Sequence, residues 1–115
     1  RELRAAPTAR RCSFSVTHSG DVGAILLSAT PWHADLASLP VGVDLERHRD
    51  RPFSALARRF FTQAEQDALA RAAEADAGMD GAESSEATAF FEMWTKKEAW
   101  LKALGVGIGG GLRSL

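Results

Sequence analysis

The sequence predicts an α+β fold, an antiparallel sheet packed against helices, and three observations predict it. Two early stretches alternate apolar and polar residues with a period of two. Three later segments repeat apolar residues at the spacing of a helical face. The two patterns are segregated along the chain, so the sheet and the helices have to bury their apolar faces on one another.

Residues 1–10 carry charge, Pro7 and no period, and form a lead-in. From Arg11 to Thr17 the chain alternates, with Cys12, Phe14 and Val16 on one side and Ser13, Ser15 and Thr17 on the other. That pattern predicts a half-buried strand with its apolar side inward. His18-Ser19-Gly20-Asp21 is a four-residue connection to a second strand over Val22–Ser28, which completes a hairpin. Ala29–Pro40 holds two prolines and Trp32 and reads as a loop. Val41–Glu46 alternates again and predicts a third strand, with Val41, Val43 and Leu45 on one face and Asp44 and Glu46 on the other.

Pro52 suits the first turn of a helix in which Phe53, Leu56, Ala57, Phe60 and Phe61 make one apolar face. Thr62-Gln63-Ala64-Glu65 has the form of a capping box that opens a second helix, extending to about Ala77. Gly78–Ser85 is a flexible connection. Ser84 or Ser85 caps a third helix, from about Glu86 to Leu104, and Gly105 stops it. Half of the ten glycines lie between Gly105 and Gly111, matching neither the Walker nor the dinucleotide spacing. A turn explains them better than a phosphate site.

At 115 residues and 45% hydrophobic content the chain suffices for one domain, and its opening on arginine suggests a piece of a longer polypeptide. Its net charge of −1 supplies no global basic field, so neither nucleic acid nor a membrane surface is expected as a partner. The single cysteine excludes an internal disulfide framework and points to a reducing, cytoplasmic setting. No apolar run approaches the roughly 20 residues needed to span a bilayer.

The most informative stretch is Trp94–Lys102. Trp94, Glu98 and Leu101 share a helical face with Phe90 and Phe91, which places a carboxylate on the stripe meant for burial. One explanation is an ordinary surface pair between Glu98 and Lys102 at i, i+4. The other requires Glu98 to meet Asp44 and Glu46. Two like charges at about 4 Å repel by about 4 kcal/mol at an effective dielectric of 20, so three carboxylates need protons or a cation. Carboxylates without Cys or His ligands suit magnesium, with manganese as a substitute. Lys97, Lys102, His18 and the Ser19-Gly20 amides would then serve an anionic substrate, a combination suited to phosphoryl transfer. His18 reads equally well as a turn histidine bonded to nearby backbone. His33 and His48 read as loop residues.

Phe14-Ser15-Val16-Thr17-His18-Ser19-Gly20, Gly42-Val43-Asp44-Leu45-Glu46, Arg59-Phe60-Phe61 with Glu65, and Trp94-x-x-Lys97-Glu98-Ala99-x-x-Lys102 followed by Gly105 occur in the order of one family. The chain resembles the 4′-phosphopantetheinyl transferases, most closely the two-lobed type that activates peptide and polyketide synthases. The resemblance implies one lobe of that fold, with residues 1–28 as the end of a first lobe and 41–115 as the second. It implies transfer of the phosphopantetheine arm of coenzyme A to a serine of an acyl or peptidyl carrier protein, releasing adenosine 3′,5′-bisphosphate. Asp44, Glu46 and Glu98 match the magnesium ligands, Lys102 the lysine on the diphosphate, and His18 a histidine on a coenzyme A phosphate. Ser19 and Lys97 fall in the same motifs, among the groups expected to bind coenzyme A. Glu65 matches a glutamate proposed as the base for the carrier serine, in competition with its place in the capping box. The resemblance also implies that the site needs an upstream lobe or a partner subunit. Without either, the same motifs would make a non-catalytic coenzyme A-binding or interaction module.

Overall fold

The computed structural model describes residues 2–3, 11–30, 40–76 and 81–105. Strands β1 (Glu2–Leu3), β2 (Arg11–Ser19) and β3 (Val22–Thr30) form an antiparallel sheet in the order β1-β2-β3, followed by helices α1 (Phe53–Phe60), α2 (Gln63–Ala75) and α3 (Ser85–Leu104). The α+β expectation holds. Ala29 and Thr30, expected to open the loop Ala29–Pro40, instead extend β3, where they pair with Cys12 and Arg11. Residues 31–39 of that loop with Trp32 and His33, the expected helix end at Ala77 and the glycines beyond Gly105 lie outside the described residues.

The hairpin departs from the sequence reading in three ways. Its connection is two residues long, because β2 runs to Ser19 and β3 starts at Val22. Gly20 has φ +60° while Asp21 is not at positive φ, the combination of a type II′ turn that matches the twist of the strands. A short pairing of Glu2–Leu3 with Cys12–Ser13 had no signal in two residues of sequence. The third departure is the largest: the polar side of β2 is the covered side. Ser13, Ser15 and Thr17 are buried, whereas Val16 is 52% exposed, and Ile25 and Leu27, opposite Val16 and Phe14, are 74% and 62% exposed.

What covers the hydroxyls is the segment expected to be a third strand. Residues 41–46 are extended but join no backbone ladder. The N–H of Val43 donates to Ser15 Oγ (3.1 Å), that of Leu45 to Thr17 Oγ1 (3.2 Å) and that of Arg47 to Ser19 Oγ (2.8 Å). Period two on one segment meets period two on the other, so the alternation is real. Its amides are satisfied by side chains in place of carbonyls, which is why the period suggests a strand and the pairing does not make one.

The helices follow their pattern closely. Phe53, Ala57, Phe61, Leu69, Ala87, Phe90 and Phe91 form the buried cluster, with Trp94 and Phe60 packed against it. Phe90 stands at its centre, with ring centroids 4.9 Å from Phe53, 5.2 Å from Phe61 and 5.7 Å from Trp94. The capping box is formed: Glu65 N–H donates to Thr62 Oγ1 and Thr62 N–H donates to Glu65 Oε2. Ser84 accepts the Ala87 N–H, Asp76 at the end of α2 accepts the Ser85 N–H, and Gly105 closes α3 at φ +73°.

Candidate metal and phosphate site

Gly42 brings the acidic segment to α3. A Cβ there would lie 1.8 Å from the Ala99 carbonyl oxygen and 2.7 Å from the Ala103 amide nitrogen, so only glycine allows the extended backbone to touch the helix backbone. Two residues on, Asp44 meets the last turns of α3. Lys102 Nζ donates to Asp44 Oδ1 (3.0 Å) and to the Val43 carbonyl (3.0 Å), with the Val16 carbonyl at 3.5 Å. Thr17 Oγ1 donates to the same Oδ1 at 3.3 Å. The side chain of Asp44 is only 6% exposed.

Two carboxylate oxygens at this seam are bare. Among the described residues, Asp44 Oδ2 and Glu98 Oε1 are buried without a hydrogen-bond partner, a costly arrangement for anions in a protein interior. Burial pushes the Glu98 carboxyl above its usual range, the negative charge of Asp44 pushes it further, Lys102 opposes, and Glu46 adds to the rise. Such mutual repulsion is what a divalent cation relieves. Among the described residues, no three His, Cys, Asp or Glu side chains stand close enough to form a ready-made metal cage. Lys102 occupies the cationic place on Asp44 instead. The donor set of hard oxygens and the two orphaned atoms fit magnesium in kind.

The remaining candidates separate. Lys97, expected to face a phosphate, is 4% exposed; its Nζ lies 2.9 Å from Glu65 Oε2 and 5.7 Å from the centre of the Phe61 ring. Glu65 therefore joins two helices, closing the cap of α2 and pairing with the middle of α3. The signal for Lys97 was present, since residues 87, 90, 94, 97 and 101 lie on one helical stripe and the lysine falls within it. Ser19 is committed to the Arg47 amide. His18 is exposed and, between Thr17 and Ser19, points to the opposite face of the sheet from the hydroxyls that hold Asp44. An open cleft of about 410 Å³ lies beside Lys102, lined by Phe14, Ser15, Val16 and Gly105.

Residues 40–115 match the family model described as the 4′-phosphopantetheinyl transferase superfamily. The chain belongs to that superfamily. Its curated relatives include a protein of Synechocystis sp. provisionally named a 4′-phosphopantetheinyl transferase, 36% identical over 103 residues, and the 4′-phosphopantetheinyl transferase psf-1 of Bacillus pumilus, 36% identical over 104. These similarities take in 89% and 88% of this chain, hence the hairpin as well as the helices, but 35% of each relative. The chain thus spans about a third of the length of the curated relatives it matches. Within this superfamily member, the matched region carries Asp44, Glu46, Glu65, Lys97, Glu98 and Lys102, while His18 and Ser19 lie upstream on the hairpin. No helix among the described residues is long and apolar enough to cross a membrane.

Proposed function

We propose that this chain is the catalytic lobe of a cytoplasmic, magnesium-dependent 4′-phosphopantetheinyl transferase that modifies a serine of an acyl or peptidyl carrier protein. The observation that carries the reading is the seam where Asp44 Oδ2 and Glu98 Oε1 are buried and bare beside the Lys102 ammonium. In the reaction the carrier serine oxygen forms a bond to the phosphorus that bears the pantetheine arm, and the bond to adenosine 3′,5′-bisphosphate breaks. Magnesium, or manganese in its place, supplies neutralisation of the diphosphate charge. Asp44 and Glu98 would hold it with Glu46 contributing, and Lys102 would turn from Asp44 toward the diphosphate once the cation takes over that carboxylate. Coenzyme A would enter by the cleft next to Lys102. His18 and Ser19 would complete its phosphate contacts from the hairpin. The serine proton would pass to Glu65, provided Lys97 yields its claim on that carboxylate; the structure favours Lys97 as the partner of Glu65 over a direct phosphate contact.

The exposed apolar side of the hairpin supports a second element, an upstream lobe or a partner subunit, over the face bearing Val16, Ile25 and Leu27. Incubating the protein with coenzyme A, magnesium and apo carrier should add the mass of the phosphopantetheine arm to the carrier. Asp44→Ala and Glu98→Ala should abolish that gain. A protein that includes the upstream lobe and still modifies none of several carriers would overturn the proposal. Coenzyme A heat in calorimetry without transfer would identify the alternative, a non-catalytic coenzyme A-binding module.

A further inference from the structure

Three hydroxyls hold the acidic segment, yet only one of them also touches an acid. Ser15 and Ser19 accept the amides of Val43 and Arg47. Thr17, 5% exposed between them, accepts the Leu45 N–H and donates to Asp44 Oδ1. A hydroxyl has one proton to give, so committing it to the carboxylate leaves the oxygen lone pairs for the amide, and both requirements are met at once. Lys102 fixes the other flank by donating to the Val43 carbonyl and to the same Oδ1. Among the described residues, the donors to this carboxylate therefore converge on one oxygen, while Oδ2 is buried and has none.

We propose that Thr17 is the positioning residue for Asp44: its hydroxyl locks the backbone on one side of the aspartate and occupies Oδ1, which leaves Oδ2 for a divalent cation. This rests on the magnesium reading given above. The β2 alternation thereby acquires a purpose that packing does not give it. A strand whose covered side is Ser13, Ser15 and Thr17 forgoes apolar burial, and what it obtains is a parallel rail of oxygens that sets the register of the acidic segment to the residue. A shift of one residue along that rail would turn Asp44 away from α3.

Thr17→Val replaces the hydroxyl with a methyl of similar size, and Thr17→Ser restores it. In the full chain, amide hydrogen exchange should show Leu45 losing protection in the valine variant and keeping it in the serine variant. Calorimetry with magnesium chloride alone should show affinity falling about 10- to 100-fold in Thr17→Val, the range for partners that orient a metal ligand, and recovering most of the way in Thr17→Ser. Unchanged Leu45 exchange in the valine variant overturns the proposal. So does a valine variant that exchanges faster yet binds magnesium as tightly as the parent, because the rail would then be structural alone. If the parent itself gives no magnesium heat, the metal reading falls with it, whereas the exchange result still decides whether Thr17 fixes the segment.

Discussion

The helical half and the hairpin half of this chain obey opposite rules of burial. In α1–α3 the apolar face is the buried face: Phe61, Phe90 and Phe91 are within 3% of complete burial. In β2 and β3 the buried residues are hydroxyls, and the exposed ones include Val16, Val22, Ile25, Leu26 and Leu27. The helices are stabilised by removing aromatic surface from water, at roughly 25 cal/mol per Å² of apolar area. The hairpin face on the acidic segment is held by directional hydrogen bonds, each with a net worth of about 1 kcal/mol. The candidate site lies where the two meet, so it has a packed helix on one side and a hydrogen-bonded register on the other.

The contrast is broken most severely in the helices. Phe61→Ala should destabilise the chain by about 3–5 kcal/mol, as expected for an aromatic side chain removed from a closed core. Ile25→Ala, of comparable chemistry on the hairpin, should change stability by no more than about 0.5 kcal/mol. Chemical denaturation of the two variants measures the difference. An Ile25 variant as damaged as Phe61→Ala would mean that this hairpin face is already covered by a copy of the chain or by another segment.

Gly42→Ala tests the seam directly. The added carbon cannot share space with the Ala99 carbonyl, so the acidic segment has to move off α3. A cost of about 1–3 kcal/mol, typical of overpacking, should accompany loss of the proposed transferase activity. Restoring stability with a compensating substitution elsewhere should not restore that activity, because Asp44 would remain displaced. Retained activity would show that the contact between the two backbones is dispensable.

The same contrast explains what the sequence disclosed. Helix boundaries were legible because Thr62, Glu65, Ser84 and Gly105 announce them through caps whose chemistry is local. Glu98 stands out in the sequence because a carboxylate on a burial stripe demands an explanation, either a surface pair with Lys102 or a meeting with Asp44 and Glu46. The inverted hairpin was not legible. Period two states only that the sides of a strand differ, and the usual inference that the apolar side faces inward fails when the inner neighbour is a segment whose amides take side-chain oxygens as partners. The partner of Lys97 was not legible for a related reason: Glu65 lies 32 residues away in sequence and has its own place in a helix cap, so nothing local announces their contact.

Glu65→Gln sharpens the point at smaller cost. Glutamine can still close the capping box, yet it leaves the Lys97 ammonium without its carboxylate inside the protein. The loss should be on the order of 1–3 kcal/mol, larger than the capping box alone would predict. Transfer should slow as well if Glu65 takes the serine proton. Thermal melts separate the two contributions, and Lys97→Met provides the comparison: it should also destabilise but leave the carboxylate in place to accept a proton. If both variants lose transfer equally, the ion pair, and not proton transfer by Glu65, accounts for the loss.

Among the substitutions at the site, the smallest effect should come from Glu98→Gln without metal. The Glu98 carboxyl is held above its ordinary value of 4.5, chiefly by burial and then by Asp44, so the folded state retains a proton that the unfolded chain releases. Below about pH 4.5 the group is protonated in both states and contributes no difference. As pH rises through the window between the unfolded and the raised folded value, the parent loses stability relative to the glutamine variant, and above it the gap is constant. Solvent at this half-buried position and the nearby Lys102 keep that gap on the order of 1 kcal/mol or less. Magnesium chloride near neutral pH should reverse the order. At a concentration about 100 times its dissociation constant, a cation that binds only the folded state stabilises it by about 2.7 kcal/mol, and the glutamine variant should miss most of that gain. A pH profile with the opposite slope would mean that Glu98 has found a donor in solution, and equal magnesium gains in both proteins would place the cation away from α3.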